Sequence, residues 1–471
     1  LYLAGGDGPA ALYRNDGSVG GPLHFSAVDE PSATLIDVAG AYPIDIDGDG
    51  RTDLVVLRAG ENVILRGLGG CRFERANEAL GFDGAPGHTT AFSATWEGDA
   101  LLPTLAFGHY LGLGADDRPT TDCASSTMLR PAPAATTYAD ATIVDLAPGY
   151  CTLSMLFSDW DRSGRRDLRV TNDRNYYSDG MDQLWRMDPG APPRLYTADD
   201  GWVSMQIFGM GIASQDVTGD GYPEVYLTSQ GDNKLQTLTT GPGHPTYRDI
   251  ALRRGVIAAQ PYVGGDALPS TAWHPEFADV NNDGFLDLFV SKGNVNEQAG
   301  YATRDPSNLF IGQPDGTFAE GAEAAGIVTF ERGRGAALAD FNLDGRLDLV
   351  LVNFGADTMI WRNAGSGTTA GTGHWAAIRL RAAGPDRDGI GAWVETRIGD
   401  LVTQREVTIG GGHAGGQLGW LHLGLGPASN AEVRVHWPGG EVGPWIRLDA
   451  SEFAIIEQGS SQALRWLPGG T

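Results

Sequence analysis

Hydrophobic and polar positions along the chain recur in one unit: a short apolar strand, an acidic loop, a second apolar strand, then a polar turn and a third strand. The second strands are the clearest part. Leu54-Val-Val-Leu57, Leu288-Phe-Val290 and Leu349-Val-Leu-Val352 are runs of β-branched and aliphatic residues too short for helices. Second strands fall near residues 1, 54, 102, 168, 225, 288 and 349. Seven four-stranded units over residues 1–365 predict an all-β chain closed into a seven-bladed β-propeller, an arrangement that removes exposed sheet edges. The first unit opens inside itself: Leu1–Leu3 reads as a second strand, the segment from Ala11 as a third and Leu23–Phe25 as a fourth, so its first strand either precedes Leu1 or is supplied by another segment. Beyond a linker at 366–373 the repeat stops. Short alternating strands between Gly-rich turns, such as Trp375–Leu380, Gln404–Thr408 and Ala431–Trp437, predict a small second β-domain over 374–471.

The acidic loops carry the candidate chemistry. Three copies are strict: Asp45, Asp47, Asp49, Asp53; Asp279, Asn281, Asp283, Asp287; and Asp340, Asn342, Asp344, Asp348. Two are looser: Asp159, Asp161, Ser163, Asp167 and Asp216, Thr218, Asp220, Glu224. All five keep oxygen side chains at positions 1, 3, 5 and 9 and glycine at position 6. Alternate residues of a tight loop point inward, and Ca²⁺ takes six to eight hard oxygens at about 2.3–2.6 Å. Position 7 adds a backbone carbonyl, from Arg51, Arg165, Tyr222, Phe285 or Arg346. An EF-hand would close with a glutamate at position 12 between helices, whereas here position 9 closes the shell and opens a strand. The expectation is five structural calcium ions, and none in the degenerate third unit around Trp96.

The formal net charge of −26, from 59 acidic and 33 basic residues with only Lys234 and Lys292 as lysines, argues against nucleic acid and anionic membranes as partners. No apolar run reaches the length of a membrane span, and no basic-plus-apolar leader precedes Leu1, so the expectation is a soluble chain whose export signal has already been removed. Of the three cysteines, Cys123 and Cys151 flank one long insertion. Either they close it, a link contributing about 3–4 kcal/mol in an oxidising compartment, or they are two separate buried thiols.

The DxDxDGxxD units resemble the FG-GAP (VCBS) repeats of integrin α-chain propellers. The run Asp388–Ala392, Arg405–Gly412, Leu421–Gly426 and Val435–Gly440 resembles the ASPIC/UnbV domain. Together they make the chain similar to the cartilage acidic protein family and its bacterial homologues. That resemblance implies an extracellular or periplasmic calcium-binding protein of recognition, adhesion or matrix contact, and no particular reaction.

If blade strands run up and down, the acidic loops share one face and the long insertions the other: 108–141, 172–183, 256–274 and 291–308. Loops elaborated on one rim of a rigid scaffold are where binding sits. Their His109, Tyr110, Arg174, Tyr176, Tyr177, His274 and Arg304 suit an extracellular glycan or protein ligand. The alternative is a calcium-dependent polysaccharide lyase or dehydratase, with His109 and Tyr110, or Tyr176, Tyr177, Arg174 and His274, as acid and base. Gly410–Gly416 reads as a plain loop or an anion-binding nest of backbone N–H groups.

Overall fold

The computed structural model describes residues 1–114, 119–173, 180–257, 265, 267–365 and 372–468. It is all-β, apart from one turn of helix at Ala251–Arg254 and a short 3₁₀ segment at Ala198–Asp200. Residues 1–361 form seven antiparallel sheets in chain order, the second and third linked through Ala59–Gly60 against Gly87–His88. In the second to seventh sheets, a first strand leads into the following acidic or degenerate loop. These strands are Val38–Ile44, Gly87–Thr95, Thr152–Ser158, Gly209–Gln215, Ala272–Ala278 and Gly333–Ala339. The second strands start at Asp53, Thr104, Asp167, Glu224, Asp287 and Asp348, as the apolar runs require.

These second strands lack polar alternation because both of their faces are covered. Val55 and Leu57 enter a core with Phe92 and Phe107, while Leu54 and Val56 enter another with Val38 and Val63. In the sixth sheet Phe289 packs toward the seventh sheet's Leu349, and Leu288 and Val290 toward the fifth sheet's Tyr226. A sheet packed on both faces selects continuous apolar strands. The seventh sheet meets the first: Phe25 and Phe341 stack edge-to-face with centroids 5.5 Å apart, and Gly20 N–H donates to the Asn342 carbonyl at 2.7 Å.

Two details differ from the sequence expectation. The first sheet (Tyr2–Leu3, Ala11–Asn15, Phe25–Val28) and the seventh each have three described strands rather than four. The insertion at 108–141 is also shorter than expected, because Ser126–Arg130 pairs with Thr104–His109 as the third strand of its sheet. Among the described residues the hairpin Leu111–Leu113/Pro119–Cys123 is what is added, and a Cys123–Cys151 disulfide ties its end to the fourth sheet.

Residues 374–466 build two further four-stranded sheets around a core that includes Ile378, Val394, Val433 and Ala454. This unit lies against the acidic loops. Gly424 and Gly373 approach Asp279 and Asn282, Trp375 covers Gly345, and His422 Nε2 sits 2.6 Å from Asn282 Oδ1.

From the same unit the Gly-rich segment enters the space between the first strands. Gly410 bridges Leu156, Gly412 bridges Ile212 and Gly415 bridges Ala41, while Ser93 Oγ donates to the Ile409 carbonyl at 2.6 Å. The N–H groups of Gly411 and Gly412 are spent on the carbonyls of Met155 and Ile212, both at 2.7 Å. The segment is therefore a plug and not an anion nest, since the successive N–H groups of Gly411, Gly412 and His413 are already spent inside the protein.

Candidate functional site

The five acidic loops share one backbone path. Position 6 is left-handed in each, with φ between 81° and 92° at Gly50, Gly164, Gly221, Gly284 and Gly345. There the N–H turns inward to the position-1 carboxylate, at 2.8, 3.0, 3.0, 2.8 and 2.7 Å respectively. Position 4 is left-handed as well, a feature the spacing did not show: Gly48, Arg162, Gly219, Asn282 and Leu343 all have φ from 57° to 73°. The position-9 carboxylate latches the hairpin. Asp53 accepts Ile46 N–H at 3.0 Å and Gly67 N–H at 2.7 Å, and Asp287 accepts Val280 and Gly312 N–H, both at 2.8 Å. Each carboxylate oxygen keeps a second lone pair for a cation.

The first of these loops fits a metal best. Ligand atoms of Asp45, Asp47 and Asp49 all lie within 4.8 Å of one another. Asp45 Oδ1 is buried with no hydrogen-bond partner, and so is Asn342 Oδ1 in the last loop. Burial raises Asp45 to about 6, Asp53 and Asp279 to about 7, Asp287 to about 8, and Asp340 and Asp348 to about 6. Buried carboxylates held close together call for a positive charge. The Asp159 loop differs: Arg165 lies on Asp167 at 2.8 and 3.1 Å, and Trp160 and Tyr196 also donate to that carboxylate.

On the insertion side, Arg174, Tyr176 and Tyr177 lie outside the described residues. Two other expected ligand contacts are turned inward. His109 is buried with its ring nitrogens 3.1 and 3.2 Å from the Thr89 and Thr127 hydroxyls, and burial lowers it to about 4. His274 sits inside a first strand and not in a loop, where its Nδ1 accepts the His413 N–H of the plug at 3.2 Å. Neither imidazole reaches the insertion surface as an acid or base. Tyr110 donates to Asp173 at 2.5 Å, and Arg304 stacks over Phe330 with its guanidinium carbon 3.9 Å from the ring centroid.

Near Arg304 in the chain stand two residues that sequence reading passed over, Arg332 and Arg334, at the start of the seventh sheet. Arg334 lies 4.1 Å over the Trp273 ring, and its guanidinium donates to the carbonyls of Gly293, Gly333 and Asn294. Burial, and then repulsion from Arg332, lower it to about 9. Arg332 stacks on Phe354 at 4.9 Å. Neither arginine makes an ion pair among the described residues. The Arg-Gly-Arg triplet entering a strand was their one sequence signal.

Comparison with known proteins agrees with the motif reading. A model described as FG-GAP-like repeat matches residues 216–290, and one described as ASPIC and UnbV matches 382–463. Cartilage acidic protein 1 of Mus musculus is 27% identical over 205 residues, covering 42% of this chain and 30% of that protein. The Homo sapiens protein is 30% identical over 163 residues, covering 32% and 22%. The matched part of the chain thus spans less than a third of those relatives. Among solved structures, an Agrocybe aegerita lectin that recognises non-reducing terminal N-acetylglucosamine aligns with a TM-score of 0.41 and 16% identity, covering 77% of this chain and 90% of that one. An exo-β-1,3-galactanase of Phanerochaete chrysosporium aligns with a TM-score of 0.31 and 10% identity, covering 97% and 98%. The resemblance to cartilage acidic proteins, with an FG-GAP-like segment and an ASPIC/UnbV segment, is shown at this distance. Among the described residues no helix is long and apolar enough to cross a membrane.

Proposed function

We propose that the chain is an exported, calcium-stabilised recognition module: a seven-bladed propeller over 1–365, a linker at 366–373 and a β-domain over 374–471 seated on its metal face. The loops opening at Asp45, Asp159, Asp216, Asp279 and Asp340 each take Ca²⁺, the Asp159 loop most weakly because Arg165 already supplies a positive charge there. The insertion side binds acidic extracellular glycans or protein segments. The observation that carries this reading is the Arg332–Arg334 pair, two guanidinium groups over Phe354 and Trp273 with no carboxylate in contact among the described residues. Arginine presents a planar fork that matches carboxylate and sulfate groups. A net charge of −26 does not oppose this, because at physiological salt charges beyond about 8 Å are screened and the local pair dominates.

The test is retention of the calcium-loaded chain on immobilised polyuronate or sulfated glycan. Retention should fall steeply with salt, and the double substitution Arg332→Gln/Arg334→Gln should abolish it. Equal retention of the double variant would overturn the reading. The polymer should also emerge uncleaved, and ultraviolet-absorbing unsaturated products would point to the lyase alternative instead.

A further inference from the structure

Between the first strands and the C-terminal sheets lies a cavity of about 400 Å³, a size that suits a small organic ligand. Its floor is formed by the ends of the first strands, including Gln215, Glu276 and Leu338, and its roof by Arg405 and the stretch from Gly415 to His422. Gln417 is exposed, so the cavity communicates with solvent on that side. Trp420 lines the roof half-buried, and its ring packs on Phe453 and Trp466 with centroids 5.0 and 5.1 Å away.

Charge decides the ligand class. Each carboxylate in the wall is already engaged. Asp388 pairs with Arg379 at 3.5 Å. Glu406 accepts Ser158 Oγ at 2.6 Å and Asp159 N–H at 2.8 Å. Asp340 accepts two N–H groups of its own loop. Glu276 accepts Leu338 N–H and the Gln417 side-chain amide and lies 3.4 Å from His274 Nε2. On the other side of the balance stands Arg405. Its guanidinium makes no hydrogen bond or ion pair among the described residues and feels Glu276 only at longer range. Arg405 is half-buried, and desolvation lowers its pKa, the direction expected for a charge partly withdrawn from water. A half-buried arginine lining a cavity whose carboxylates are all committed elsewhere is an anchor for an added anion.

We propose that this cavity binds a small organic carboxylate of sugar-acid size, with the carboxylate held by Arg405 and the carbon skeleton against Trp420. The site is separate from the insertion side and stands whether or not Arg332 and Arg334 bind a polymer.

The test is calorimetric titration of the full calcium-loaded chain with D-glucuronate and D-galacturonate, with glucose as the neutral control. Saturable binding of a sugar acid with quenching of tryptophan fluorescence is expected, and none of glucose. Arg405→Gln should weaken binding at least about tenfold, the loss expected for a charge-assisted contact. Because a roof substitution can disturb folding, Gln417→Glu at the exposed mouth provides a second reading. It also removes the amide that Gln417 donates to Glu276, so the new carboxylate and the released Glu276 should together weaken the sugar acid by charge repulsion, in an exposed side chain rather than in the roof. No binding up to about 10 mM, a millimolar limit beyond which fewer than about 3 kcal/mol of affinity remain, would overturn the proposal. So would binding equal to the parent in both variants. The polyuronate column reads Arg332 and Arg334 and the monomer titration reads Arg405, so a failure of one is distinguishable from a failure of the other.

Discussion

At the scale of single residues, the loops show how closely backbone and charge are tied. Gly424 illustrates the first: a Cβ at that position would lie 1.7 Å from Asp279 Oδ2, so Gly424→Ala must push a position-1 carboxylate out of place. We expect that substitution to cost about 1–3 kcal/mol, the usual penalty for overpacking, in chemical denaturation, and to lower bound calcium by one ion per chain. An unchanged metal count would separate Asp279 from calcium binding. The charges give a pH prediction. Asp53 and Asp279 at about 7 and Asp287 at about 8 are all raised by burial above the ordinary carboxylate value. A raised folded pKa means that the fold holds protons the unfolded chain has released, so this contribution is full at low pH and is lost as pH rises through the folded values. His109 at about 4 and His413 and His422 at about 3 are lowered by burial and act with the opposite sign, losing stability only as pH falls below about 6.5. Between pH 6.5 and 8 these histidines no longer contribute, and the several raised carboxylates outweigh the single lowered Leu1 amino group, which acts with the opposite sign. In chelator, the melting temperature should therefore fall as pH rises across that window. With calcium the same carboxylates are held ionised and the slope should flatten or reverse. Parallel slopes with and without calcium would count against metal in these loops.

At the scale of elements, the plug is the feature with the largest consequence. Gly412 packs against the His274 ring, where an added Cβ would come within 2.5 Å, and its N–H is bonded to the Ile212 carbonyl. Gly412→Val should expel the segment from between the first strands. The expected result is that a single calorimetric unfolding transition splits into two, as the C-terminal sheets lose their grip on the rest. This element also marks how far sequence carries. The sheets were legible because strands such as Asp53–Gly60 and Asp287–Lys292 are covered on both faces and so read as apolar runs flanked by an oxygen-and-glycine loop. The loops were legible for the same local reason. Glycines at 410–412 carry no sign of what they touch: their partners Met155 and Ile212 lie some two hundred or more residues away, and only assembled strands bring them together. The burial of His109 and His274 was hidden likewise, since an imidazole beside an insertion reads the same whether it faces water or two threonines. Arg332 and Arg334 were missed because isolated arginines have no periodicity, and their meaning rests on the absence of nearby carboxylates in space.

At the scale of the whole molecule, the acidic loops do more than stiffen individual hairpins, because the C-terminal unit rests on several of them at once. Asn282 touches His422, Gly345 is covered by Trp375, Gly48 approaches Pro385 and Arg166 approaches Gly391. Calcium in these loops would thus fix the surface on which that unit is seated, in addition to offsetting the mutual repulsion of buried carboxylates. Metal that binds the folded state alone adds RT ln(1 + [L]/Kd) per site, about 2.7 kcal/mol at a hundredfold excess over Kd. Several sites acting together should therefore shift the melting temperature by many degrees. Metal analysis of protein dialysed without chelator should return four or five calcium ions per chain, four if Arg165 keeps the Asp159 loop for itself. Chelation should lower the melting temperature strongly and, because the seat loosens before the sheets unfold, increase the radius of gyration measured by small-angle scattering below the transition. The Gly412→Val chain should show that increase even with calcium present, since it lacks the plug that holds the unit when the seat is intact. A melting temperature and a radius indifferent to chelator would overturn the structural role assigned to calcium and leave the acidic loops as metal-free hairpins.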